Sequence, residues 1–206
     1  MTTSQTQGIE EVLLNLCDSV SFVLNEATKD RVHYSAMVQC IQKTSLRPDI
    51  GCFVLFDGGF SGLVVINFSA DAAMELYSNY LLQMGIAQNE LAQTHTANDV
   101  SDVMGELMNQ IVGDVTRRIQ NDLQTCITQS QPKMLVLNKQ VVLQVDSNLD
   151  DPQARRVSFY TGNHHVFYVE LAMDNVAFVP LKKRKKTKEA KEKNDENEAL
   201  LKSLGM

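Results

Sequence analysis

Residues 98–123 read NDVSDVMGELMNQIVGDVTRRIQNDL, and the spacing of their apolar positions decides how the rest of the chain must be arranged. Successive residues of a helix are about 100° apart, so Val100, Met104, Leu107, Ile111, Val115 and Ile119 gather on one side. Asp102, Glu106, Asn109 and Gly113 gather on the other. A helix from Asn98 to about Leu123 is expected, packed along the first side and showing water a carboxylate and a carboxamide one turn apart. Glu at i and Asn at i+3 project side by side. One can hold a cationic group of a partner while the other orients a water through its donor and acceptor.

Neither residue is a good nucleophile, and no His, Cys or Ser stands beside the pair as a base stands beside a nucleophile. A solvated Glu is too weak a base to deprotonate water well at neutral pH. Positioning is the chemistry left, and phosphoryl transfer is the reaction in which positioning a water suffices. A lone E-x-x-N also decorates many solvated helix faces, so the surrounding positions give the pair its weight.

Those positions are Asp102, three residues, Glu106, two residues, Asn109, then twenty-two residues to Pro132. The pattern resembles the signature of the CheC, CheX and FliY chemotaxis phosphatases, D/S-x3-E-x2-N-x22-P, with each place filled. SDVMGELMNQIVGDVTRRI is similar to the family's motif helix, and DIGCFVLFDGGFSGLVVINFSADAAMELYSNYLLQMG to its hairpin-then-helix segment. The likeness covers most of residues 9 to 180 and runs nearest to CheX, with one site per chain. It implies an α/β (α+β) domain of two pseudo-symmetric halves that share one antiparallel sheet, with the first helix of each half packed on it. It also implies dephosphorylation of the aspartyl phosphate of a CheY-type response regulator. In that reaction Glu106 would engage the receiver's active-site lysine and Asn109 would place the attacking water in line. Asp102 would support the docking face or the helix start, and the bare Gly113 would let a partner backbone come close. Pro132 would fix the chain's path. The phosphatase needs no cofactor of its own, because the phosphorylated receiver brings its Mg²⁺. The relatives dimerise, and an edge strand would permit a homodimer here, although periodicity is silent on it.

Outward from the motif, Glu10 to about Ala27 reads as a helix on Val12, Leu13, Leu16, Val20 and Val23. β-type stretches near 33–44, 50–57 and 60–68 follow, the last two turning through Asp57-Gly58-Gly59. Ala70 to about Met84 is a second helix with Ser69 as its N-cap. Beyond the motif helix lie stretches near 134–145, 155–161 and 165–173, the last pair turning at Gly162-Asn163. GCFVLFDGGFSGLVVINF and RRVSFYTGNHHVFYVEL share one design, as an internal duplication would require. The first helix lacks the motif: Glu11 and Asn15 are four apart, with Leu14 where an Asn is wanted.

The chain has 206 residues, 44% hydrophobic and 21% charged, enough for one core and too few for two full-sized domains. A single domain over 1–180 and a charged, disordered tail over 181–206 are expected. Residues 180–206 hold nine Lys/Arg against five Asp/Glu, so the chain's −6 leaves the preceding residues near −10. A body that acidic argues against nucleic acid as a partner. MTTSQTQGIEEVLL has no basic segment ahead of an apolar one, and no apolar run approaches a membrane span, which points to the cytoplasm. Cys17, Cys40, Cys52 and Cys126 form no C-x-x-C and are expected reduced and mostly buried. His164-His165 at a turn, the Asp146, Asp150 and Asp151 loop and the Gly58-Gly59 turn carry no metal or phosphate spacing.

The tail has three readings: a solubilising segment, a basic contact through Lys182 to Lys186, or a tether. The third rests on Asp195 to Leu201, similar to the acidic-then-Ala-Leu-Leu peptide with which flagellar switch proteins capture phosphorylated regulators. For the whole chain, the rival class is a non-catalytic protein that binds receivers or serves in a motor switch. An unrelated small-molecule enzyme lacks support, since there is no nucleophile set, metal set or cofactor loop.

Overall fold

The run GLVVINF at 62–68 has no polar alternation before Asn67, the pattern of a strand covered on both faces. In the computed structural model, which describes residues 8–137, 141–145 and 148–178, this run is β4 (Gly62–Phe68), buried throughout at the centre of a seven-stranded antiparallel sheet. It pairs on one side with β3 (Ile50–Gly58), its hairpin partner, and on the other with β9 (Val166–Met173). β9 pairs with β8 (Gln153–Tyr160), and β8 with β1 (His33–Ile41) at the edge. β5 (Ile127–Gln129) and β6 (Lys133–Val136) follow one another along the far side of β3.

This order realises the pseudo-symmetry implied by the motif. The two hairpins, β3–β4 and β8–β9, meet at β4 and β9. The first half's leading strand, β1, joins the second half's hairpin, and the second half's leading strands, β5 and β6, join the first half's hairpin. Each half therefore completes the other, and neither leaves its hairpin with two open sides.

Three helices, α1 (Ile9–Thr28), α2 (Ala70–Gln83) and α3 (Asn98–Asp122), cover one face. Inward residues of the hairpins, such as Val64, Ile66, Phe159, Phe167, Val169 and Leu171, form one core with Leu16 and Val20 of α1, Leu76 of α2 and Leu107 and Ile111 of α3. Burying an aliphatic or aromatic side chain of this size is worth roughly 1.5–3 kcal/mol. Ser69 caps α2 as expected, its hydroxyl accepting the Ala72 N–H at 3.2 Å. Among the described residues no helix is long and apolar enough to cross a membrane.

Two expected stretches divide. The 33–44 stretch ends as β1 at Ile41, and Thr44–Leu46 becomes β2, which pairs with β7 (Leu143–Val145) instead of the main sheet. The 134–145 stretch splits likewise into β6 and β7. The β2–β7 ladder lies over the other face, where Leu46, Leu63, Val65 and Leu137 make a second, smaller core. Its anchor is Glu170, fully buried, which accepts the Ser45 N–H at 2.9 Å and pairs with Arg156 at 2.7 Å. Partners a hundred residues apart, such as Thr44 and Val145, leave no local periodicity to read.

The hairpin turn at Asp57-Gly58-Gly59 is present, and its glycines have a tertiary reason. Gly58 has φ 140°, and a Cβ there would come within 2.5 Å of the Cys126 carbonyl oxygen, because the chain leaving α3 crosses the turn. The expectation of mostly buried cysteines holds for Cys17 and Cys52. Cys40, on the edge strand, and Cys126, beyond α3, are exposed, and all four are free thiols. The tail from 181 onward and Asp146 lie outside the described residues.

Candidate functional site

α3 is positioned by its apolar side. Val100, Met104, Leu107, Met108, Ile111, Val115 and Ile119 are all buried, which fixes the rotation of the helix against the sheet and α1. The opposite side then faces water by geometry alone, and Asp102, Glu106, Asn109 and Gly113 are all exposed. The sequence-predicted stripe is thus brought together on one surface.

Within it, Gln110 Nε2 donates to Glu106 Oε1 at 3.0 Å, an i to i+4 bond that restrains the carboxylate. Among the described residues no side-chain partner meets the Asn109 carboxamide, so its donor and acceptor both face solvent. A Cβ at Gly113 would meet nothing within 4 Å. Glycine inside a helix costs roughly 0.5–1 kcal/mol relative to alanine, and this chain's own packing gives no reason for it. Asp102 sits a full turn inside the helix, whose first-turn acid is Asp99. The helix-start role therefore falls to Asp99, since the dipole's influence fades beyond the first turn, and Asp102 keeps only its place on the exposed face.

Pro132 lies on the segment that runs beside α3, where Thr116 Oγ1 donates to Gln129 Oε1 and a Cβ on Gly105 would stand 3.7 Å from Met134. It stands in the Ser130–Pro132 segment that separates β5 from β6. Leu55 exchanges bonds with Ser130, donating to its Oγ at 3.0 Å and accepting its N–H at 2.8 Å. Lacking an N–H, Pro132 fits where the ladder along β3 is interrupted.

Sequence reasoning missed the next turn of α3. Asp114 is buried and paired with both Arg117 and Arg118, the latter at 2.6 Å. Burial pushes its carboxyl up, but hydrogen bonds from Arg118 and Arg117, with the charge of Arg118, outweigh this and hold it below the usual carboxylate range. Arg118 also lies 5.7 Å over the Phe22 ring, tying α3 to α1. The spacing D-x-x-R-R was the available signal, since i+3 and i+4 partners share a helix face. Arg117 stays exposed and extends the polar stripe one turn past Gly113.

In the other half, α1 offers nothing equivalent. Asn15 is buried and Leu14, where the motif wants Asn, is 54% exposed. The turn histidines are also accounted for: His165 Nδ1 lies 2.7 Å from Glu75 Oε2, a carboxylate that also accepts Thr161 Oγ1 and the Asn163 N–H. Among the described residues no group of three or more His, Cys, Asp or Glu is placed to hold a metal.

Glu106 and Asn109 stand exposed on the helix, and neither lines the clefts of about 610, 360 and 200 Å³. Two side chains on an open helix can serve chemistry only if the partner brings the rest of the pocket.

A family model described as "Protein of unknown function (DUF3334)" matches residues 3–204. No curated protein matches the chain. Among solved structures, the chain is similar to the chemotaxis protein CheX from Desulfovibrio desulfuricans, with TM-score 0.65 and 16% identity over 80% of this chain and 99% of that one. It is similar to the CheX of a CheX–CheY–BeF3–Mg²⁺ complex from Borrelia burgdorferi, with TM-score 0.56 and 14% identity over 80% and 98%. It is similar also to Thermotoga maritima FliY, with TM-score 0.58 and 16% identity over 85% and 92%. The resemblance read from the motif helix and the hairpin-then-helix segment is thus matched by a likeness of fold.

Proposed function

We propose, for a chain that belongs to the DUF3334 family, that it is a phosphatase of the aspartyl phosphate on a CheY-type receiver domain. The observation that carries this reading is the joint exposure of Asp102, Glu106, Asn109 and Gly113 on a helix whose opposite side is entirely in the core. Support comes from the fold, which is shared with a CheX solved in complex with CheY, BeF3 and Mg²⁺. Two exposed side chains need a partner that brings the reacting group, and a phosphorylated receiver supplies the phosphoryl group and the metal.

In this reading Glu106, steadied by Gln110, accepts a hydrogen bond from the receiver's active-site lysine and sets the docking register. The Asn109 carboxamide reaches toward the phosphorus and holds a water in line, accepting from one water proton while its N–H₂ faces the phosphoryl oxygens. The receiver's own Mg²⁺ would supply the charge neutralisation at the phosphoryl group. No base on this chain is required, because little proton transfer has occurred when the loose transition state is reached. Asp102 borders the contact, and Gly113 leaves room for the partner's backbone. In this reading the protein works in the cytoplasm, beside such a partner.

The test is the decay of a phosphorylated receiver in Mg²⁺ with the native protein and with Asn109→Ala. Native protein should speed decay, and the variant should lose about a hundredfold or more, as when other positioned hydrogen-bonding groups are removed. Native protein that binds receivers without changing their phosphate lifetime would leave a non-catalytic interaction protein in place of the enzyme.

A further inference from the structure

Between α1 and the edge strand β1 runs an apolar cleft of about 360 Å³. Leu13, Leu14 and Cys17 wall it from the helix, and Tyr34, Ala36 and Val38 from the strand. Leu14 is 54% exposed and Val38 46%, so large apolar groups face water on both walls. Tyr34 offers its ring, because its hydroxyl is engaged in donating to Asp18 Oδ1 at 2.8 Å. Covering such a groove removes apolar surface from water, which is favourable.

A bulge shapes the strand wall. Pairing with β8 advances four residues along β1, from Tyr34 to Val38, against two along β8, from Phe159 to Val157. Extra residues of this kind interrupt the ladder and turn side chains out of the pleat. A second copy adding its strand here would find the edge broken, whereas a segment held by its apolar side chains needs no ladder.

The chain's own C-terminal segment leaves the body beside this groove. Asp174 to Ala177, which lead out of β9, line a cleft of about 200 Å³ together with Gly8, Ile9 and Glu10, and Glu10 lines the apolar groove as well. Asp150 and Asp151 are tied to the same exit, through the Asp150 N–H on Asp174 Oδ1 at 2.8 Å and Asn175 Nδ2 on Asp151 Oδ2 at 3.2 Å. The basic run KKRKK begins at Lys182, four positions past Phe178, so opposite charges meet where the segment departs. After a polar stretch come Ala199, Leu200, Leu201, Leu204 and Met206. Leu200 is 22 positions beyond Phe178, a length that spans up to roughly 70 Å when extended. The groove is well within that reach, and a tether raises the effective concentration of its end.

We propose that residues 199–206, ALLKSLGM, dock in this groove of their own chain, with Leu200, Leu201 and Leu204 covering Leu14 and Val38. The family match runs through residue 204 and so takes in all three leucines. The docking is independent of the α3 stripe and needs no receiver. It places these leucines on the body instead of on a captured regulator.

Paramagnetic broadening in the full-length protein, free of receiver, tests this. A nitroxide on Ser203→Cys, with Cys40→Ser and Cys126→Ser removing the exposed thiols, should broaden the methyl signals of Leu13, Leu14 and Val38. Those of Leu55 and Leu135, near the other edge of the sheet, should stay sharp. Leu200→Asp with Leu201→Asp should return the groove signals to the height seen with the nitroxide reduced. Leu14→Asp, at an exposed position, should keep the native circular dichroism and likewise restore Leu13 and Val38. Groove signals that stay sharp beside the nitroxide, or stay broadened in Leu200→Asp with Leu201→Asp, would overturn the proposal. Equal broadening when tagged, unlabelled chains are mixed with isotope-labelled, untagged ones would also overturn it, and would assign the groove to a second copy.

Discussion

Glu106 and Gln110 are joined across one turn of α3 by a 3.0 Å hydrogen bond in which the amide donates to the carboxylate. Both side chains are exposed, so the bond adds little to folding and mainly narrows the directions in which Glu106 points. An exposed i to i+4 pair of this kind is worth about 0.2–0.5 kcal/mol. Gln110→Ala should therefore raise KM for the phosphorylated receiver by about twofold with kcat unchanged. Glu106→Ala should raise it much further, and kinetics as a function of receiver concentration separate the two. Equal effects on kcat would contradict a docking role for Glu106.

Gly113 opposes stability and docking. With nothing within 4 Å of the place a methyl would take, Gly113→Ala should stabilise the fold by about 0.5–1 kcal/mol through lower backbone entropy in the unfolded chain. The same methyl stands where a receiver backbone is proposed to approach. Melting temperature should rise by a few degrees, while receiver dephosphorylation slows. A bulkier Gly113→Leu should abolish dephosphorylation with the fold intact.

Asp114 links acidity to stability. Its folded pKa lies below the ordinary 3.8, so its contribution is complete well above that value and is lost as pH falls through the folded pKa. Asp114→Asn should destabilise by on the order of 1–3 kcal/mol at neutral pH, the range for bonds to charged groups. The gap between the native protein and the variant should close below pH 3.8. Urea denaturation at stepped pH measures it, and a gap independent of pH would remove Asp114 as the cause.

Thiol reactivity should divide two and two. Burial pushes Cys52 up to about 12, and burial with the nearby Asp18 charge pushes Cys17 up to about 12. Cys40 and Cys126 are exposed. A thiol reagent near pH 8 should label those two in the native protein and reach the others only on unfolding. Mass spectrometry of labelled peptides identifies which thiols react.

The helices were legible because a helix states its buried face locally. Val100 to Ile119 recur at helical spacing, and once those residues are packed, the exposure of Asp102, Glu106, Asn109 and Gly113 follows from the geometry of one element. The hairpin at Gly58 was legible for the same reason, although the contact with Cys126 that demands glycine there belongs to the tertiary structure. Strand boundaries failed where pairing was distant. Nothing near Thr44 or Leu143 says that these residues leave the main sheet, because each stretch is extended and half apolar whichever partner it takes.

The sequence by itself determined which residues share the α3 stripe, that the first helix cannot repeat it, and where the acidic body gives way to a basic tail. Each of these is a matter of spacing or charge along one segment. Only the tertiary structure decided that the segment holding Pro132 runs beside α3 and that Asn15 is closed off from solvent. It also decided that Glu170, Arg156, Ser45 and Arg47 meet at one cleft. Those contacts join strands far apart in the chain, and their energies exist only once the β2–β7 ladder has closed over the sheet.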